Sequence, residues 1–207
     1  MKKVFFSIAV ALAFLSTAWG QTPEEIIARM EKAMEAGESK GLTMTMDFKI
    51  PIFGTTTTLM YVLGDTTRTE TAILGHRLIT FSDGVTDWEY DESKNEITIE
   101  KALPSGEGDG SEAEMFDGIT DGYSVSLKNE TADAWYLVCK KTRDNTDKDA
   151  PDRMELVVSK KNDLPVSLST KMKGIKLTLW DIRLGVDAAK MVFRIEDYPD
   201  AKVIDKR

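Results

Sequence analysis

Leu42–Ile50 reads LTMTMDFKI, and this stretch decides the architecture. Leu42, Met44, Met46, Phe48 and Ile50 alternate with Thr43, Thr45, Asp47 and Lys49. A period of two predicts a strand with one apolar and one wet face. Just upstream, TPEEIIARMEKAMEAG has another period. Thr22 is placed to cap, Pro23 suits the first helical position, and Glu25 completes a capping box. Ile26, Ile27, Met30, Ala33 and Met34 then share one face of a helix that Gly37 ends.

Downstream, the alternation of Leu42–Ile50 returns in Tyr123/Val125/Leu127, Trp135/Leu137/Cys139, Met154/Leu156/Val158, Ile175/Leu177/Leu179 and Met191/Phe193/Ile195. Turn signals such as SDGV, KKNDLP and MKGI separate the strands, and no helical crossover intervenes. The expectation is an antiparallel sheet of consecutive hairpins with one face wet. One long interruption, 103–123, is glycine-rich and acidic around a short helical candidate at 111–117, with Met115, Phe116 and Ile119 as its apolar side. The predicted fold is mainly β: a curved antiparallel sheet or incomplete barrel whose concave face is covered by the N-terminal helix and the short central helix, the alternative being an ordinary sheet-plus-helix sandwich with a solid core.

Lys2 and Lys3 precede an apolar run that ends at Ala18 and Gly20, the pattern of a cleaved secretory signal over residues 1–20. Residues 21–207 are then of single-domain size. The only cysteine, Cys139, lies far from the cleavage point, so neither lipid anchoring nor a disulfide framework is expected. The net charge of −8 disfavours nucleic acid and anionic membrane surfaces as partners, and the chain is expected to be a monomer.

No catalytic constellation emerges. His76 is the only histidine and stands beside a glycine turn, which leaves a hydrolytic nucleophile without the usual base and zinc without a ligand set, so an enzyme and a metal cofactor are not expected. Asn145, Asp147 and Asp149 are spaced like the first ligands of a calcium loop, but Ala150 and Leu156 occupy the positions needing glycine and glutamate. In FSDGVTDWEYDESKNEITI, residues 81–99, Asp87, Glu89 and Asp91 alternate with Trp88 and Tyr90, so the acids stand on the face opposite the aromatics.

That same hairpin resembles the SDG-x-T-x-W-x-Y hairpin of periplasmic outer-membrane lipoprotein carriers of the LolA type. The ending GVDAAKMVFRIEDYPDAKVIDKR, 185–207, is similar to the closing segment of that family. The resemblance implies an incomplete, unclosed β-barrel whose N-terminal helix and short central helix form a lid over a hydrophobic cavity that takes the acyl chains of lipoproteins. It also implies a periplasmic location, loading by an inner-membrane ABC exporter, and delivery to an outer-membrane acceptor. With it, the residues proposed as acyl-chain lining are Ile27, Met30, Met34, Met44, Met46, Phe48, Trp88, Tyr90, Met115 and Phe116. The family's Arg-Pro lid latch has no match here: Arg68 is the nearest arginine, and no proline follows it. The alternative is a lipid- or protein-sensing scaffold module of the same fold.

Overall fold

A computed structural model describes residues 21–73, 75–102, 116 and 118–207. Helix α1, Pro23–Glu35, starts at the expected box: the Thr22 hydroxyl accepts from the Glu25 N–H at 3.2 Å, and the Glu25 carboxylate accepts from the Thr22 N–H at 3.0 Å. Two of the helix's orphan donors are thereby satisfied. Gly37 follows for a reason the sequence does not disclose. Its φ is ordinary, but a Cβ there would lie 2.2 Å from a Leu184 methyl, so it lets the end of the helix close on the sheet.

Among the described residues twelve strands form one sheet. They are β1 Leu42–Ile50, β2 Gly54–Leu63, β3 Thr66–Ile73, β4 His76–Ser82, β5 Thr86–Asp91, β6 Glu96–Lys101, β7 Tyr123–Glu130, β8 Ala134–Lys141, β9 Arg153–Ser159, β10 Pro165–Met172, β11 Ile175–Leu184 and β12 Lys202–Asp205. Their order is β12-β6-β5-β4-β3-β2-β1-β11-β10-β9-β8-β7. Two antiparallel meanders, β1 to β6 and β7 to β11, are thus joined where β1 pairs β11, and the ends do not meet. This is the open, curved sheet expected of an incomplete barrel.

Two expectations are corrected. The sheet is not wholly antiparallel, because β12 runs parallel to β6. The alternation Met191/Phe193/Ile195 is not a strand: short 3-10 turns at Ala188–Met191 and Ile195–Asp197 flank it. There the apolar spacing serves side-chain docking, with no backbone ladder beneath it. The short central helix proposed at 111–117 lies outside the described residues except for Phe116, as does the leader at 1–20.

Residues directly opposite in adjacent strands point to the same face, so the register assigns every side chain. We call the face that α1 covers inner. From Met44 and Leu42 it runs through their partners Met60 and Val62 on β2 to Thr69 and Thr67 on β3, then to Thr80 and Ser82 on β4, and finally to Glu89 and Asp87 on β5. Ile79, Phe81, Trp88, Tyr90, Ile97 and Ile99 of β4–β6 therefore stand on the outer face, and Leu78 on the inner one. Met60, Tyr61 and Val62 are buried in succession because β2 is where the covered face changes and both its sides are packed.

Candidate functional site

On the inner face, α1 lays Ile26, Ile27, Met30 and Met34 against Leu42 and Met44 of β1, Met60 and Val62 of β2, and the inward residues of β8 to β11. Phe116 caps this cluster and is 1% exposed. Five of the chain's ten methionines, Met30, Met34, Met44, Met60 and Met154, are buried in it, with Met46 packed at its margin. Methionine has an unbranched, polarisable side chain that repacks at low strain, so the interior is deformable. Cys139 lies in the same cluster, where burial pushes its thiol up to about 11 and makes it inert at neutral pH.

The interior leads outward along one direction. On β1 burial falls from Met44 through half-buried Met46 and Phe48 to Ile50, and on β11 from Leu179 through Leu177 to Ile175. Phe48 opposes Leu177, Met46 opposes Leu179, and Met172 opposes Ile175. An apolar ramp therefore connects the methionine cluster to the end of the sheet where the β1–β2 and β10–β11 hairpins turn.

Of the residues proposed from sequence, Ile27, Met30, Met34, Met44 and Phe116 meet in the buried cluster, and Met46 and Phe48 continue it along the ramp. Met115 lies outside the described residues. Trp88 and Tyr90 do not join them, since both stand on the outer face with Phe81 and Ile79. Their neighbours are Phe193, stacked on Trp88 with centroids 5.6 Å apart, and Tyr198, 4.3 Å from Tyr90. These rings hold down the C-terminal segment, which β12 then fastens to β6. Asn95 Nδ2 also donates to the Asp200 carbonyl at 2.8 Å. Sequence reasoning missed Met60 because its neighbours are buried on both faces and hide the alternation; it read Met154 and Leu156 as a strand without seeing that they face α1.

Arg68 is also on the outer face, opposite Phe81. Its guanidinium pairs with Glu70 and donates to the Lys190 carbonyl at 3.3 Å, and Lys190 Nζ donates to the Tyr61 hydroxyl at 2.7 Å. Arg68 thus fastens the C-terminal segment, on the face away from α1. The cation that ties α1 down is its own Arg29. Its guanidinium lies 4.9 Å from the Trp135 ring centroid and its Nε 3.5 Å from an Asp163 carboxylate oxygen, while Lys160 approaches the same ring at 5.4 Å.

The acids of β5 are solvated structural groups. Asp91 caps the β5–β6 turn through Ser93, and hydrogen bonds from Lys94 and Ser93 hold its carboxyl down at about 2. At 145–149 the acids form local turns, and Asp149 pairs with Lys173. Among the described residues no group of three or more His, Cys, Asp or Glu is arranged to hold a metal. A hollow of about 390 Å³ lies on the other side of the sheet, between Arg153, Glu155, Ser169, Lys171 and Lys176; it is shallow, and its charged walls do not suit an apolar guest.

Compared by sequence, the chain matches no family model and no curated protein. Compared by structure, it is similar to the lipoprotein LppX of Mycobacterium tuberculosis, with a TM-score of 0.50 and 11% identity over 76% of this chain and 93% of that one. LprF of Mycobacterium bovis gives a TM-score of 0.50 and 7% identity over 81% and 97% of the two chains. A LolA superfamily protein of Nitrosomonas europaea gives 0.35 and 12% over 84% and 99%. The chain shares the fold of the first two.

Proposed function

We propose that the chain is a periplasmic carrier that holds an acyl chain between α1 and the inner face of the sheet, without catalysing a reaction. The observation that carries this reading is the methionine-lined interior under α1, continued by an apolar ramp to one end of the sheet. An acyl chain of about sixteen carbons left in water costs on the order of 12 kcal/mol, at about 0.8 kcal/mol per methylene, so a carrier must enclose it. Release then requires a lining that collapses when the chain leaves. Methionines that fill the space themselves, as they do here, meet that requirement. The acylated cargo is a lipoprotein in this reading, taken from an inner-membrane ABC exporter and passed to an outer-membrane acceptor.

Mass spectrometry of the protein purified without denaturant from its own periplasm tests this directly. Copurifying lipid or lipoprotein, displaced stoichiometrically by a fluorescent fatty acid, is the expected result. Met46 is half-buried on the ramp, so Met46→Glu should abolish fatty-acid uptake while leaving the circular dichroism spectrum intact. A folded Met46→Glu variant that takes up fatty acid normally would place the binding site elsewhere.

A further inference from the structure

The two hairpins at the end of the ramp carry features that neither the fold nor an interior site needs. At the tip of the β1–β2 hairpin, Ile52 and Phe53 are 101% and 87% exposed, preceded by Ile50 and Pro51. Ile52 takes a φ of 75°, a left-handed conformation that a β-branched residue adopts rarely and that glycine or asparagine would take more easily. Foldability alone would have selected a polar turn. Met172 and Ile175, at the neighbouring β10–β11 tip, add 38% and 37% exposed side chains at the same end.

Behind this apolar edge, on the outer face, runs a row of lysines. Lys49 stands directly opposite Lys176, and Lys176 directly opposite Lys171, across three adjacent strands. All three are exposed, and none makes an ion pair with a described residue. Like charges in directly opposed positions destabilise a sheet; Asp152 and Glu155 border the same hollow as Lys171 and Lys176, but Glu155 is already paired with Lys128 and Arg153, so the row is open to an external anion. The net charge of −8 weighs against anionic surfaces for the chain as a whole, and this row is the local exception to it.

We propose that this end of the sheet docks on an anionic lipid surface. Ile52 and Phe53 enter the boundary between headgroups and acyl chains, while Lys49, Lys171 and Lys176 lie against the headgroup phosphates. Apolar side chains flanked by cations are the combination that such a surface binds, and its electrostatic part is screened by salt. Docking in this orientation sets the mouth of the ramp on the bilayer. The contact rests on the hairpin end alone and does not depend on what the interior holds.

The test is sedimentation of the purified full chain with vesicles of phosphatidylcholine containing one third phosphatidylglycerol, and with vesicles of phosphatidylcholine alone. Wild type should bind the anionic vesicles, more weakly as salt is raised. The double variant Ile52→Asn/Phe53→Ser changes only exposed tip residues and should lose affinity by roughly tenfold or more. The triple variant Lys49→Gln/Lys171→Gln/Lys176→Gln should lose affinity for anionic vesicles only and flatten the salt dependence. All share one N-terminus, so residues 1–20 contribute equally. Wild type that stays in the supernatant, as it would if the tip instead fitted a groove on a protein partner, overturns the proposal. Binding unchanged in the tip variant overturns it too. Fatty-acid uptake measured on the same samples separates the two readings: vesicle binding without uptake removes the carrier and leaves the docking, and uptake without vesicle binding does the reverse.

Discussion

Replacing Arg29 by methionine should loosen α1 from the sheet without unfolding the sheet. Methionine keeps the apolar stem and removes the cation. Three contacts are lost: the guanidinium over Trp135 at 4.9 Å, the approach of Nε to Asp163 at 3.5 Å, and a 2.6 Å hydrogen bond from Nη2 to the Gln21 side chain. They are unequal. The ion pair has both partners about a third exposed, so screening leaves it roughly 0–1 kcal/mol. Nε itself is buried and makes no hydrogen bond, which subtracts further. The ring contact, on a tryptophan that is 7% exposed, is the larger effect at about 1–2 kcal/mol. Together the loss is on the order of 1–2 kcal/mol, or roughly a 5- to 30-fold rise in the population with α1 undocked. Amide hydrogen exchange under native conditions reads this, through α1 amides such as those of Met30 and Met34 against the β8 and β9 ladder as internal reference. Exchange in α1 should accelerate by that factor while Leu137 and Leu156 keep their rates. Acceleration of both by the same factor would show that α1 opens only with the whole domain, and no acceleration would show that the cation contributes nothing to docking. Arg29→Lys, which preserves charge but not the planar stacking, should fall between.

Other consequences follow from single positions. Gly37→Ala puts a methyl into the Leu184 side chain and should lower the urea midpoint by an amount equivalent to about 1–3 kcal/mol, because the displaced leucine packs against the core. Cys139, fully buried with its thiol raised to about 11, should resist a thiol reagent at pH 8 in the folded protein and react at once in denaturant. Asp91 and Asp205 are held down from 3.8 to about 2, chiefly by hydrogen bonds from Lys94 and Arg207. Their contribution to stability is therefore present above 3.8 and is lost as pH falls towards 2, and carboxyl titration by NMR should place both midpoints near the lower value.

Much of this architecture was written locally. Thr22 and Glu25 close their capping box through atoms three residues apart, and no distant partner is needed to make that helix start. The alternation in LTMTMDFKI likewise predicts a half-buried strand in any sheet that receives it. In the 81–99 hairpin, the acids and aromatics do stand on opposite sides, as their spacing requires. What the spacing could not disclose was the side to which Trp88 and Tyr90 belonged. A period of two relates neighbours within a strand and carries no sign relative to a helix sixty residues away. That sign came from four consecutive registers, β1 with β2 through β4 with β5, and a slip of one residue in any of them would have reversed it.

The C-terminal segment shows the same limit. Met191 and Phe193 have strand-like spacing, yet they dock side chains onto the outer face while the backbone makes short turns. Nor did Arg29 announce itself: on a helix rich in charge it reads as one more solvated residue, until the fold brings Trp135 and Asp163 beneath it.

By itself, then, the sequence determined the identity of α1 and of the strands from β1 to β11 whose alternation it shows, because capping, turn chemistry and hydrophobic period act over a few residues; it did not do so for the C-terminal segment. Only the tertiary structure decided which apolar residues share an interior, what covers the aromatics of the 81–99 hairpin, and that Lys49 joins the hairpin pair Lys171 and Lys176 in one row. Those are relations between residues far apart in the chain, set by strand register and by where the covered face changes at β2. No local pattern encodes them.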